Sequence, residues 1–395
     1  MPQQHYPSRV VDVDSTRRAY GDRVDAVLPW LWVADPLADN VAAAMRMRPA
    51  SSEHFYQALE HGRQSAPALP APMERFLDHV EAVPEWVDWS RINRAGTLFF
   101  RTGMAGGIVL GAKSLCYGYC SPGGNKPLIM TGRLSSKAMN MRLVETSRYV
   151  VETCRSGGLQ RFGPGFLLAI RVRLMHAVVR NLLQNNAAWS DERWGVPISQ
   201  HDMLGTALLF SQSFVEGIRQ FGFSVSTTEA EDYLHLWRYA TYLMGLDESL
   251  FPKNEADALV LADIILRTQG APDADARTLV DALVRAPLSR AERENRPVRG
   301  ASAQVAAGYG FCRTLLGPEL SDALALPKDK WRFAIPVISK VVAALEPIRE
   351  RVPALEQRLA EAGYRHWERA ITQGSQGKST TFAPPTRLAG LENSS

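Results

Sequence analysis

The segment Phe166–Asn186 combines the composition of a buried helix with side chains that can do chemistry. Apolar residues occur nearly all the way around it, which is typical of a helix inside a protein, yet it carries Arg171, Arg173, His176 and Arg180. At about 100° per residue, His176 and Arg180 lie about 60° and about 20° from Arg173 around the helix axis. The imidazole and these two guanidiniums therefore project into one arc.

Buried charges need partners, and two arrangements satisfy this arc. In the first, His176 is a neutral imidazole that binds haem iron, and Arg173 and Arg180 reach the two haem propionates. In the second, His176 is a core histidine that hydrogen-bonds a carbonyl, and the arginines pair with acids on neighbouring helices. His235, in the segment YLHLWR, is the other histidine that could bind iron, although such a segment is more typical of core packing.

A second group of polar residues lies on the predicted helix Leu134–Cys154. Arg142, Glu145 and Thr146 are spaced i, i+3 and i+4, so they share one face of that helix. A cation, a carboxylate and a hydroxyl on one patch could hold bound oxygen and move a proton. The alternative is a solvated Arg–Glu pair, which stabilises a helix by only about 0.2–0.5 kcal/mol.

The spacings of other common reactive sites are missing. A di-iron site in a helix bundle needs two E-x-x-H motifs, and the nearest approach is Asp232-x-x-His235. H-E-x-x-H, closed Cys/His zinc spacings, C-x-x-C-H, a phosphate-binding loop and a G-x-S-x-G elbow are also absent. His201 lies at a predicted helix start and is interpreted as part of the cap.

Composition indicates an ordinary globular protein. Of 395 residues, 46% are hydrophobic and 22% charged, and the net charge of +4 is too small and too dispersed for a nucleic-acid-binding face. Four cysteines are too few for a disulfide scaffold. The first residues show no apolar export segment, and the apolar stretch Thr102–Ala112 is too short to span a membrane. We expect a cytoplasmic protein without a transmembrane segment, and its oligomeric state stays open.

Helix signals run along most of the chain, and few alternating strand patterns occur. Capping residues precede several apolar runs: Ser199, Ser226 with Glu229, and Asn254. Ala271 and Pro272 are predicted to start the next helix, with Asp273 in its first turn. The run that follows Ser199 is predicted to form one helix up to Gly222. We expect an all-α fold with a single large helical domain over residues 24–373. A loose arm (1–23) and a disordered tail (374–395) flank it.

Ordered segments of the chain resemble a known family. They include DPLADNVAAAM, VPEWVDW, YGYCSPGGNKPLIMTGRL, MRLVETSRYV, RVRLMHAVVR and WGVPISQHDMLGT. Together these are similar to the latex clearing protein (rubber oxygenase) family, whose superfamily includes the fungal oxygenase of mycophenolic acid biosynthesis. The family motif R-x-x-H-x-x-x-R matches Arg173, His176 and Arg180. Its R-x-x-K-T motif matches Arg142 and Thr146, with Glu145 where the family has lysine.

This resemblance implies a haem b protein with a globin-like helical core. Such a protein would activate O₂ to oxidise or cleave an apolar unsaturated substrate, terpenoid or lipid-like. The implied site residues are His176 as iron ligand, Arg173 and Arg180 at the propionates, and Thr206 as a pocket residue. Arg142, Glu145 and Thr146 would be catalytic.

Two features separate this chain from the rubber enzymes. Glu145 is a better base and a poorer neutral iron ligand than lysine. Those enzymes are secreted, whereas this sequence shows no export signal, so we expect an apolar small molecule rather than an insoluble polymer. A non-catalytic haem protein that senses or binds a ligand, and a haem-free helical binding module, are the alternative functions.

Overall fold

The computed structural model describes residues 5–132 and 136–376. Over these residues the secondary structure is helical, without a β-strand, and one isolated antiparallel bridge joins Val10 to Gln269. The first helices are α1 (Val13–Tyr20), α2 (Asp22–Val27), α3 (Pro36–Met47), α4 (Ala50–His61), α5 (Ala71–Glu81), α6 (Trp89–Arg101), α7 (Gly103–Val109), α8 (Cys116–Tyr119), α9 (Lys126–Met130), α10 (Ser136–Cys154) and α11 (Pro164–Gln184). The prediction of an all-α fold is confirmed.

The second half continues in the same way. Its helices are α12 (Asp191–Trp194), α13 (Gln200–Phe210), α14 (Gln212–Gln220), α15 (Thr227–Leu243), α16 (Glu255–Thr268), α17 (Ala274–Val284), α18 (Ala286–Arg293), α19 (Val298–Leu316), α20 (Pro318–Ala323), α21 (Ala334–Arg351) and α22 (Pro353–Ser375). Short 3-10 helices lie at Leu28–Trp32, Arg63–Ser65, Glu248–Leu250 and Lys330–Phe333, and a π-helical turn, Leu110–Leu115, joins α7 to α8.

The predicted helix caps are confirmed. Ser226 and Glu229 form a capping box at the start of α15, and Ser199 and Asn254 each accept a backbone N–H of the helix that follows. Asp273, predicted in the first turn of its helix, is instead the N-cap of α17. These side chains satisfy N–H groups that have no partner inside their helix.

The single helix predicted to run from Ser199 to Gly222 is wrong at one point. The backbone breaks at Ser211, where φ is −102° and ψ is −85°, so α13 and α14 are separate helices. The Ser211 hydroxyl donates to the carbonyl of Ala207 at 2.7 Å. Such a bond to the preceding turn competes with the helical ladder and bends helices.

Helices α10 and α11, which carry most candidate residues, pack against each other. The predicted helix Leu134–Cys154 is present from Ser136, and residues 134 and 135 lie outside the described part of the chain. Helix α11 also packs on α3 and α15, while α10 packs on α6 and α22. Phe166, Ile170 and Ala177 of α11 are fully buried, so hydrophobic contacts on several sides fix this helix in place.

The two ends of the chain make different contacts from those expected. Residues 5–23, predicted as a loose arm, contain α1 and are held by an ion pair of 2.8 Å between Arg9 and Asp202. The Arg9 side chain is buried in this pair, and a buried charge with a partner anchors the segment. Of the tail predicted from Gly374, the first two residues end α22, and residues 377–395 lie outside the described residues.

The apolar stretch Thr102–Ala112 is divided between the end of α6, helix α7 and the π-helical turn. Among the residues with described structure, no helix combines the length and the hydropathy needed to cross a bilayer.

Candidate active site

A cavity of about 280 Å³ between α10, α11 and α13 collects most of the predicted site residues. Five of them line it: Arg142, Glu145, Thr146, His176 and Thr206. We call it the His176 cavity. Most of the remaining wall is apolar: Leu115, Leu128, Val172, Met175, Val179, Ile198, Met203, Leu209, Phe210 and Met244. A mostly apolar pocket with a few convergent polar groups is the usual form of a small-molecule site.

His176 contributes an imidazole that the surrounding protein does not saturate. Its Nδ1 is buried and has no hydrogen-bond partner among the described residues. Burial lowers the pKa of His176 to about 4, and the positive charge of Arg180 acts in the same direction. The imidazole is therefore neutral near pH 7, which is the form that binds metal ions.

Helix α10 presents the polar group of the cavity. Nη1 of Arg142 is buried without a hydrogen-bond partner in the described structure, and Glu145 and Thr146 line the cavity beside it. The hydroxyl-bearing Tyr119 of α8 also lines the cavity. Burial raises the pKa of Tyr119, and the positive charge of Arg142 partly offsets this rise. A guanidinium, a carboxylate and two hydroxyls therefore meet in one largely apolar space.

Arg173 and Arg180 do not line the cavity, and in the described structure both pair with acids. Their contact with haem propionates stays a prediction. Arg173 binds Asp35 through two bonds, Nε to Oδ2 at 2.7 Å and Nη2 to Oδ1 at 3.0 Å. Arg180 pairs with Asp39 and donates to the carbonyl of Pro197 at 3.1 Å. Both acids belong to the start of α3, so the arginines attach α11 to α3. The arginine pairing of the second arrangement is therefore present, whereas Nδ1 of His176 has no hydrogen-bond partner in the described structure.

The Arg173–Asp35 pair is packed closely against the end of α15. Gly245 has a φ of +93°, and a Cβ at this position would lie 2.4 Å from Oδ2 of Asp35. Asp35 also caps α3 by accepting the N–H of Ala38. One carboxylate thus connects three helices close to the turn of α11 that carries His176.

We expect Arg173→Ala to lower the free energy of unfolding by about 3–5 kcal/mol, because it leaves the Asp35 carboxylate buried without its partner. Arg171→Ala is the matched control. Its partner Glu60 is about one-third exposed, so the expected change is below about 1 kcal/mol. Urea unfolding of both variants measures the difference. If Arg173→Ala unfolded like the parent but bound haem weakly, a role at the cofactor would replace this structural role.

His235, the other histidine considered as an iron ligand, lies outside the His176 cavity lining and has a structural partner. Its Nε2 accepts the backbone N–H of Asp88 at 3.0 Å. Burial lowers the pKa of His235 to about 4, helped by the charges of Arg91 and Arg238 and opposed by Asp88 and Asp232. His235 thus acts as a neutral acceptor at the start of α6.

This environment predicts a pH dependence of stability. The unfolded histidine has a pKa of about 6.5, so the unfolded state binds the proton first as pH falls. The contribution of neutral His235 is complete above about pH 6.5 and is lost as pH falls towards about 4. In His235→Gln the side chain can still accept a hydrogen bond but does not titrate, so its unfolding midpoint in urea should vary less over this range. An unchanged pH profile would contradict the assignment.

Sequence analysis did not identify several other residues of the cavity. Tyr119 lies in the segment YGYCSPGGNKPLIMTGRL, which carries the family resemblance, and this was the one available signal. Tyr149 donates to the sulfur of Met244 at 3.0 Å, and both line the wall. Because Tyr149 and Met244 are 95 residues apart in the chain, helical periodicity could not predict this contact.

Comparison with known proteins agrees with this arrangement. Residues 89–346 match the family described as "ER-bound oxygenase mpaB/B'/Rubber oxygenase, catalytic domain". The chain is 26% identical over 327 residues to the rubber oxygenase of Streptomyces sp. (strain K30), covering 80% of this chain and 75% of that protein. The structure of latex clearing protein in the closed state shares the fold, with a TM-score of 0.65 and 23% identity, over 86% of this chain and 91% of the other. The matched region covers well over half of the sequence and contains α10, α11 and α13, so the chain belongs to the family of mpaB/B'-type and rubber oxygenase catalytic domains.

Proposed function

We propose that the protein is a haem b-dependent oxygenase that activates O₂ to oxidise or cleave an apolar unsaturated substrate, terpenoid or lipid-like. The observation that carries this proposal is the convergence of His176, Arg142, Glu145 and Thr146 on one apolar cavity. Membership of an oxygenase family supports the reaction class. The relative named as a rubber oxygenase supports an unsaturated hydrocarbon as the substrate class.

The residues of the His176 cavity fit a haem group. Haem brings its own ring nitrogens to the iron, so one protein histidine is a sufficient ligand. No cluster of three or more His, Cys, Asp or Glu side chains suited to a bare metal ion occurs within residues 5–132 and 136–376. His176 has the buried, unpartnered Nδ1 and neutral imidazole described above. We assign His176 as the iron ligand and Thr206 as a contact of the macrocycle.

When bound, haem supplies the iron chemistry that activates O₂. The chain itself supplies polarity, proton transfer and exclusion of water. We propose that Glu145 accepts a proton from the substrate at a carboxylate oxygen, because it lines the same cavity as His176, Arg142 and Thr146. The guanidinium of Arg142 would stabilise negative charge that develops on an oxygen atom of the reacting substrate. The Thr146 hydroxyl would donate a hydrogen bond to that oxygen.

The lining of the His176 cavity favours an apolar substrate. The surrounding leucine, methionine and valine side chains favour the burial of hydrocarbon.

An absorption spectrum of the purified protein after haem supplementation tests the cofactor, and oxygen uptake with candidate alkenes tests the reaction. We expect a Soret band and alkene-dependent oxygen consumption, with untargeted product analysis of terpenoid and lipid pools identifying the substrate. A protein without a Soret band would be a haem-free binding module. A Soret band without oxygen uptake across these pools would indicate a haem protein that senses or stores a ligand.

A further inference from the structure

A second cavity of about 350 Å³ adjoins the His176 cavity. We call it the His201 cavity. The two share the residues that separate them: Gly118, Gly124, Asp202, Thr206 and Leu209. The two cavities therefore lie on either side of the same five side chains and backbone positions.

Three residues that line the His201 cavity carry buried polar atoms without hydrogen-bond partners in the part of the chain that is described. Of these residues, His201 and Gln212 are buried as a whole and Ser213 is half-buried. Both ring nitrogens of His201, Oε1 of Gln212 and Oγ of Ser213 are buried and unbonded. His201 is 7% exposed and Gln212 is 3% exposed. Nδ1 of His201 faces Oδ1 of Asp202 at 3.6 Å, longer than a normal hydrogen bond, and this contact helps to lower the pKa of Asp202. Nε2 is therefore the ring nitrogen that has no neighbouring acceptor or donor of this kind among the described residues. Buried polar groups are usually satisfied in native proteins, so this cluster points to a ligand.

The charges around the cavity select an uncharged ligand group. Its lining has three carboxylates and, among the described residues, neither lysine nor arginine. Each carboxylate already has a cationic partner in the protein: Asp202 pairs with Arg9, Glu216 with Lys113, and Asp263 with Arg267. An anionic group would find no counter-charge, and a cationic group would compete with existing ion pairs. A hydroxyl or carbonyl can use the free donors and acceptors of the cluster without either penalty.

The rim of the His201 cavity is apolar and open. Leu259 and Leu266 of α16 line it and are 46% and 41% exposed. Ile265 and Leu208 continue the apolar wall inward. A hydrophobic molecule can therefore enter here, with the unpartnered polar cluster further inside.

We propose that the His201 cavity binds the polar end of the substrate, an uncharged hydroxyl or carbonyl group on an otherwise apolar unsaturated molecule. The hydrocarbon part then passes Thr206 and Leu209 into the His176 cavity. This inference rests on the proposed function, because it assigns the substrate of the same site. His201, Gln212 and Ser213 are its specificity-determining residues.

Calorimetric titration of the haem-supplemented protein with two matched C10 compounds tests the inference. Geraniol carries a hydroxyl, and 2,6-dimethyl-2,6-octadiene is its hydrocarbon analogue. We expect geraniol to bind at least about tenfold more tightly, because only the alcohol satisfies buried polar groups. Geranic acid, ionised at pH 8, should bind more weakly than geraniol. Equal affinity for geraniol and the hydrocarbon would overturn the inference.

Variants of the cavity residues test whether the His201 cavity causes the tighter binding of geraniol. His201→Phe combined with Gln212→Leu removes two polar groups and should abolish the advantage of geraniol while keeping hydrocarbon binding. His61→Phe, at an exposed histidine, is the control for the change of residue type. If the double variant does not fold, Gly205→Leu gives a second test by filling the cavity. A Cβ at Gly205 meets only Ile265, at 3.8 Å, so Gly205→Ala controls for the backbone change.

The results distinguish this inference from the proposed function. A Soret band and alkene-dependent oxygen uptake, together with equal binding of geraniol and the hydrocarbon, would support the oxygenase and refute the polar binding site in the His201 cavity. A tenfold preference for geraniol that disappears in the variants would support that binding site even in a protein without haem. A preference that persists in both the double variant and Gly205→Leu would place the recognition elsewhere and overturn the inference.

Discussion

His176→Ala is expected to lose stable haem binding, with affinity falling by more than about 100-fold. Loss of residues that only support a metal ligand already weakens metal binding by about 10–100-fold, and the ligand itself contributes more. The helix α11 offers no second histidine to replace it. The measurement is the Soret absorbance after haem titration and gel filtration of equal amounts of folded protein.

His235→Gln is the matched control for this loss. Burial lowers the pKa of His235 to about 4, as it does for His176, but Nε2 of His235 accepts the N–H of Asp88 at the start of α6 and the residue lies outside the His176 cavity lining. At pH 7.5 the glutamine variant should bind haem as the parent does. Full haem occupancy with an unchanged absorption spectrum in His176→Ala would refute His176 as the iron ligand. Loss of haem in His235→Gln alone would instead identify His235 as the ligand.

The sequence was sufficient to predict the face of α11 but not the neighbours of that face. Helical periodicity places Arg173, His176 and Arg180 in one arc, and the structure keeps α11 helical throughout. The carboxylates that bind the two arginines come from α3, 138 and 141 residues away in the chain. Spacing along one helix carries no information on such a partner. The presence of charged residues inside an apolar helix indicated only that partners must exist.

The division of the predicted helix at Ser211 could not be predicted from the sequence, for a different reason. The apolar pattern continues across it from Leu208 to Phe214, and serine occurs inside many helices with its hydroxyl bonded to the preceding turn. Here that bond is accompanied by a change of backbone direction, so α14 begins again at Gln212. As a result, Gln212 and Ser213 line the His201 cavity together with His201. Local caps such as Ser226 with Glu229 were predictable because their partners lie within one helical turn.

Glu145→Gln is expected to lower the turnover number by about 10²–10⁴-fold, the contribution typical of a general base. Glutamine keeps the size and the hydrogen-bonding capacity of the side chain but cannot accept the proton. The Soret band should be retained, because His176 and the apolar wall are unchanged. The measurement is oxygen uptake per haem with the substrate found by product analysis.

A second variant on the same helix separates this role from a general loss of stability. Glu152→Gln, on the same helix α10, is the control. Glu152 binds Arg148 at 3.0 Å and lies outside the His176 cavity lining, so its loss should reduce stability but preserve turnover per haem. Parental turnover in Glu145→Gln would show that Glu145 and Arg142 form a structural pair, with proton transfer by another group.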